Sequence, residues 1–193
     1  HLLNNPFLNQ LQSTWHHIAF EPVMSQRAMF SHSNVISLCY NSPIFYWDGI
    51  MKTICVYCGS SDKMRVSYLD AAYSMGQAIA RRGLTLTYGA GCTGMMGAVA
   101  DGALQAGGEV VGVIPSIFAN PTLMHNGLSH LEIVETMHTR KARLVDISDA
   151  FIALPGGYGT FEELFEVLTW AQIGLHRKPV GLLKFEFHLQ ISG

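Results

Sequence analysis

Ala150-Phe151-Ile152-Ala153-Leu154-Pro155-Gly156-Gly157-Tyr158-Gly159-Thr160-Phe161-Glu162-Glu163 runs from an apolar segment, through a proline and three glycines, into residues whose apolar members recur every three or four positions. A short, uninterrupted apolar run suits a strand buried on both faces, and the period after it predicts a helix over 161–173. The same pattern repeats along the chain. Strands are predicted at 53–57, 84–88, 109–114, 131–134, 150–154 and 179–183, with helices at 66–82, 94–106 and 139–148. Repeated strand–helix–strand units build a parallel sheet covered on both sides. Right-handed crossovers make it an open, doubly wound α/β sheet of Rossmann type, whose ligands sit beyond the carboxyl ends of the strands. The three loops richest in glycine and hydroxyl residues, 59–62, 89–97 and 155–160, all fall at such ends.

Before residue 51 the pattern is missing. Residues 1–50 hold three charged side chains (Glu21, Arg27 and Asp48) and four of the nine histidines, and the chain does not begin with methionine. We read 1–50 as an extension of unknown role outside the native domain, which begins at Met51 and occupies 51–193. A small cap built on Phe7, Trp15, Phe20 and Trp47 is the alternative.

The 193 residues carry 49% hydrophobic and 13% charged side chains with a net charge of −2. That composition supports a buried core and gives no electrostatic footprint for nucleic acid or an anionic membrane. No apolar run is long enough to span a bilayer, and no secretory signal is recognisable, so the expected compartment is the cytoplasm. The pair Cys55 and Cys58 has redox or zinc spacing, but it lies on a predicted strand, where residues three apart face opposite ways. No metal is expected.

The loops carry the chemistry. Gly89, Gly91 and Gly94 form a G-x-G-x-x-G match between strand and helix, able to bring backbone amides to a phosphate. A dinucleotide site also wants an acid at the end of the next strand, whereas Glu109 stands at its beginning. Equally, these glycines could only permit close helix–sheet packing. In the loop after the 150–154 strand, three glycines and Thr160 offer an anion seat at a helix start. Thr160 with Glu163 could alternatively be a capping box, which needs no ligand. His138-Thr139-Arg140-Lys141-Ala142-Arg143 is the densest positive region, readable as a solvated helix face or as a phosphate clamp.

Taken together, Pro155–Thr160 continuing to Glu163 resembles the PGGxGTxxE signature of the LONELY GUY (LOG) proteins, often mislabelled lysine decarboxylases. Met137–Lys141 resembles their second motif, and Cys58–Ser61 and Tyr88–Gly97 their first two loops. The resemblance runs from Met51 to about Leu183. It implies cytokinin riboside 5′-monophosphate phosphoribohydrolase activity, in which water and a nucleoside 5′-monophosphate (AMP or isopentenyl-AMP type) give free base and ribose 5-phosphate. It further implies a homodimer needing no metal or redox cofactor. Arg140 and Glu163 match the family's catalytic pair. Lys141, Gly156, Gly157, Tyr158, Gly159, Thr160 and Glu162 match nucleotide contacts, and Ser60, Gly89, Gly91 and Gly94 join them as binding candidates.

The chain departs from the family pattern in three ways. Ala90 replaces a glycine of many members, a small change. The loop 116–130 has no carboxylate where some members place a substrate-binding glutamate, so base selectivity is expected to differ. The tail 184–188 replaces the final helices, which implies C-terminal truncation and leaves the last strand and helix partly uncovered. A lysine decarboxylase would need a Schiff-base lysine and a larger scaffold, neither evident here. The rival to the enzyme is a nucleotide-sensing module on the same scaffold, which would not need both Arg140 and Glu163.

Overall fold

The structure, a computed structural model, describes residues 51–183 and the backbone of residues 35–38. Most of 1–50, the proposed cap residues and the tail 184–193 lie outside the described residues.

The elements follow in the order β1 (Val35–Leu38), β2 (Thr53–Tyr57), α1 (Val66–Ala80), β3 (Thr85–Tyr88), α2 (Gly94–Gln105), β4 (Val110–Pro115), β5 (His130–Val134), α3 (Met137–Ile147), β6 (Ala150–Ala153), α4 (Tyr158–Gln172) and β7 (Val180–Leu183). The sheet order is β1-β7-β6-β2-β3-β4-β5. β2 through β7 are mutually parallel. β1 joins antiparallel, with Val35 opposite Leu183 and Leu38 opposite Val180. A strand within 1–50 was not anticipated, because the segment shows no alternation and its pairing partner lies at the far end of the chain.

The sheet divides two cores. On one side Ile54, Val56, Leu86 and Tyr88 pack with Ala72, Met75, Ile79, Met95 and Val99 of α1 and α2. On the other, Cys55, Tyr57, Val113 and Phe151 pack with Leu144, Val145, Leu164 and Val167 of α3 and α4. Alternation along β2 therefore puts Cys55 in one core and Cys58 in the other, so the C-x-x-C spacing cannot close on a shared ligand. This is the expected doubly wound, Rossmann-like architecture.

α1 and α2 meet backbone to backbone. A Cβ added at Gly76 would lie 2.0 Å from the Val99 carbonyl oxygen, and one at Gly102 would lie 2.0 Å from that of Tyr73. Ala90, wholly buried, holds φ of +61°, a region that costs a residue with a Cβ roughly 1–2 kcal/mol. The replacement is thus less minor than it looks in the sequence. The chain then reverses within the 116–130 loop, whose His125 amide donates to the Ala90 carbonyl and whose Leu123 carbonyl accepts from the Cys92 amide.

From β2 the chain winds outward through β3, β4 and β5, then returns to place β6 on the other side of β2. The switch point of the sheet lies between β2 and β6, and it opens a crevice at their carboxyl ends. The loops after these two strands touch there: the Gly59 amide donates to the Pro155 carbonyl at 3.0 Å.

Candidate functional site

α4 begins at Tyr158, with Gly157 as its N-cap and no side chain capping its first turn. The sequence had placed the start at Phe161, with Thr160 as the cap. Thr160 instead lies within the first turn and packs on Gly156, where an added Cβ would meet its hydroxyl at 2.0 Å and the Gly59 nitrogen at 2.9 Å. The capping-box alternative fails with it, since Glu163 reaches across to α3. The first-turn amides of a helix have no partner within it. Around Gly157 and Gly159 nothing lies within 4 Å of where a Cβ would stand, and Tyr158 is 96% exposed. Uncapped amides, open space and the positive end of a helix dipole together make an anion seat.

The other glycine loop differs. At the head of α2 the Gly94 amide donates to Asp62 Oδ1 (3.2 Å) and the Met95 amide to the Gly59 carbonyl (2.9 Å). The Thr93 hydroxyl donates to the Ser60 carbonyl at 2.7 Å. Gly94 has φ of +58°, and a Cβ on it would run into the Ser60–Ser61 backbone at 2.6–2.9 Å. The amides of Gly94 and Met95 are already spent within the protein, with Asp62 standing where an anion would. Gly91 lies against Met96. Gly89 faces the crevice, for a Cβ there would stand 2.3 Å from Arg140 Nη2.

α3 carries the cations. Thr136 caps it, its hydroxyl accepting from the Thr139 amide at 3.1 Å, which starts the helix two residues before the predicted position. Arg140 Nη2 donates to Glu163 Oε1 at 2.6 Å, with the two side chains 12% and 9% exposed. Among the described residues Arg140 Nε is a buried side-chain nitrogen without a hydrogen-bond partner. Burial pushes the Glu163 carboxyl above the ordinary glutamate range; Arg140 pulls it down, Glu162 pushes it up, and the outcome remains upward. A carboxyl raised in this way titrates closer to neutrality, where proton transfer is most effective.

Lys141, next to Arg140, bonds to both Glu162 and Glu166, the latter at 2.6 Å. Burial alone would lower its ammonium, but hydrogen bonds and charges from the two glutamates outweigh that and hold it above the ordinary value. Arg143 turns outward to Glu132 at 2.9 Å. Arg140, Lys141 and Arg143 therefore each meet a carboxylate, the first two on α4 and the last on β5. Glu166 was missed in the sequence, although its spacing of four from Glu162 puts both on one helix face.

Behind the pair, β2 supplies a neutral wall. Burial raises the Cys55 thiol to about 12 and lifts the Tyr57 phenol and the Cys58 thiol as well. Tyr57 stacks on Phe151 with ring centroids 6.0 Å apart. Arg140, Glu163, Gly89 and the 156–160 loop thus converge at the switch point. Ser60 contributes its carbonyl to packing there, and Glu162 is taken up by Lys141.

A family model described as "Possible lysine decarboxylase" matches residues 96–191. A cytokinin riboside 5′-monophosphate phosphoribohydrolase of Rhodococcoides fascians is 52% identical over 133 residues, covering 68% of this chain and 67% of that protein. The Arabidopsis thaliana cytokinin riboside 5′-monophosphate phosphoribohydrolase LOG1 is 49% identical over 135 residues, 70% of this chain and 63% of that one. The chain spans roughly two-thirds or less of the curated relatives it matches, 64% for a rice relative. In fold it resembles the Moco carrier protein of Chlamydomonas reinhardtii (TM-score 0.55, 20% identity, 68% of this chain and 88% of that one). A molybdenum cofactor binding protein of Rippkaea orientalis is similar too, with TM-score 0.52, 22% identity, 67% of this chain and 88% of that one. At 52% identity to a relative of which it spans 67%, the chain belongs to the LONELY GUY family.

Proposed function

We propose that this chain hydrolyses the N-glycosidic bond of a nucleoside 5′-monophosphate of the AMP or isopentenyl-AMP type, giving free base and ribose 5-phosphate. One observation carries the reading: a buried carboxylate, Glu163, pairs with Arg140 one turn beyond an uncapped helix start. The phosphate lies against the amides of Gly157–Thr160, helped by the Thr160 hydroxyl. Its remote binding energy fixes the reacting bond. The C1′–N bond breaks with its electron pair leaving on the base, and positive charge develops on the ribose. The Glu163 carboxylate stabilises that charge and takes a proton from water, whose oxygen bonds to C1′, and the proton passes on to the departing base, which regenerates the carboxylate. Arg140 holds the phosphate or the leaving base.

The activity of the relatives and the shared motifs support this reading, and we propose that the chain works as a homodimer in the cytoplasm. No helix among the described residues is long and apolar enough to cross a membrane. The lysine of the site argues against the family model's decarboxylase description. An imine-forming amine needs a lowered pKa, whereas Lys141 is held up by two carboxylates. The test is to incubate the purified chain with AMP and isopentenyl-AMP and to measure ribose 5-phosphate and free base. Nucleotide binding without release of either product would favour the sensing module.

A further inference from the structure

Two consecutive residues of α3 grip three carboxylates of α4: Arg140 holds Glu163, and Lys141 holds Glu162 together with Glu166. The Lys141 side chain is 7% exposed, and two of its three ammonium protons are committed to carboxylates. A phosphate approaching that amine would have to face Glu162 and Glu166 as well, and like charges repel at such range. We propose that Lys141 is a positioning residue and not a nucleotide ligand: its bridge to Glu162 and Glu166 sets α4 against α3 and keeps those two charges from bearing on Glu163. This rests on the reaction proposed above.

The groups facing Glu163 are few. α3 presents Arg140 and Lys141, and α4 presents Glu162 and Glu166. β2 presents Cys55 and Tyr57, and Cys58 follows just past its end in the other core, all kept neutral by burial. Removing the Lys141 charge would leave the two α4 glutamates opposing ionisation of Glu163, so Glu163 would hold its proton to higher pH.

The experiment compares the full chain with Lys141→Met and with Lys141→Met combined with Glu162→Gln and Glu166→Gln. The single variant should lower kcat, leave KM for AMP within about threefold, and move the acid limb of kcat/KM up by about one pH unit. The triple variant removes both opposing carboxylates along with the lysine, so the limb should return to its original position or below it. A KM for AMP raised tenfold or more in both variants would overturn the proposal, as would a limb that stays put in the single variant. Titration of the Glu163 carboxyl by ¹³C NMR reads the same shift without turnover. Should the parent chain fail to cleave AMP, the proposed reaction falls while the titration still decides the role of Lys141. If Lys141→Met does not fold, Glu162→Gln with Glu166→Gln replaces it. A positioning role then requires a lower kcat, and a ligand role requires a lower KM from the freed ammonium.

Discussion

Glu163→Gln tests the site most sharply, because stability and activity should move independently. The carboxyl of Glu163 is raised above its ordinary value chiefly by burial, and the opposing pull of Arg140 does not offset that. The neutral form is therefore favoured by folding more than the ionised one. A folded pKa above the unfolded value means stability fully present below about pH 4.3 and lost as pH rises through the folded value. Glutamine mimics the protonated acid and can still accept from Arg140, now 2.6 Å from Oε1. The charge-assisted part of that bond, about 1 kcal/mol, is lost. The cost of burying an ion is removed, and the raised pKa says that this second change is the larger. At pH 8 the variant should melt at the same temperature as the parent or higher by about 2–4 °C, the equivalent of roughly 1 kcal/mol for a chain of this size. Near pH 4 the two should coincide. Base release from AMP should fall by about 10²–10⁴-fold, the usual worth of a positioned acid or base. Melting by differential scanning calorimetry at both pH values and chromatographic assay of free adenine read both effects. A variant destabilised at pH 8 by about 3 kcal/mol would show the ion pair to be a structural clamp. One that turns over AMP at the parent rate would remove Glu163 from the chemistry.

The glycines of the 156–160 loop separate packing from binding. Gly156→Ala would drive a methyl into the Thr160 hydroxyl and the Gly59 backbone, costing about 1–3 kcal/mol in chemical denaturation. Gly157→Ala meets nothing within 4 Å at an ordinary φ of −94°, so stability should stay within about 0.5 kcal/mol. KM for AMP should nevertheless rise at least tenfold, and an unchanged KM would move the phosphate elsewhere. Gly76→Ala should lower stability by about 3 kcal/mol or more, because its methyl would stand 2.0 Å from the Val99 carbonyl on the neighbouring helix; a urea midpoint like the parent's would refute that contact. Among the described cysteines, Cys92 should alkylate first in native protein at pH 8. Cys55, with its thiol near 12, and the buried Cys58 should react only on unfolding, as peptide mass mapping would show.

The alternation of short apolar strands with three- to four-residue periodicity carried the architecture from Thr53 to Leu183, since each pattern reports local burial and needs no knowledge of neighbours. The glycines at 156, 157 and 159 suggested an anion seat for the same reason: the absence of a side chain is written in the residue itself. Where the helix begins was less visible. Gly157 caps α4 without a side chain, so the residue that would signal the start is missing. Thr160 and Glu163 carry the spacing of a capping box yet serve other partners.

What pairs with what could not be read along the chain. That β6 returns beside β2, that Val35–Leu38 pairs with β7 and that Asp62 fills the anion position at the head of α2 are contacts between distant residues. Arg140 and Lys141 looked alike as cations on one helix face. Only the packing of α3 on α4 separates them, because a charge out of water takes whichever carboxylate lies within reach, and reach is set by the fold and not by order in the sequence.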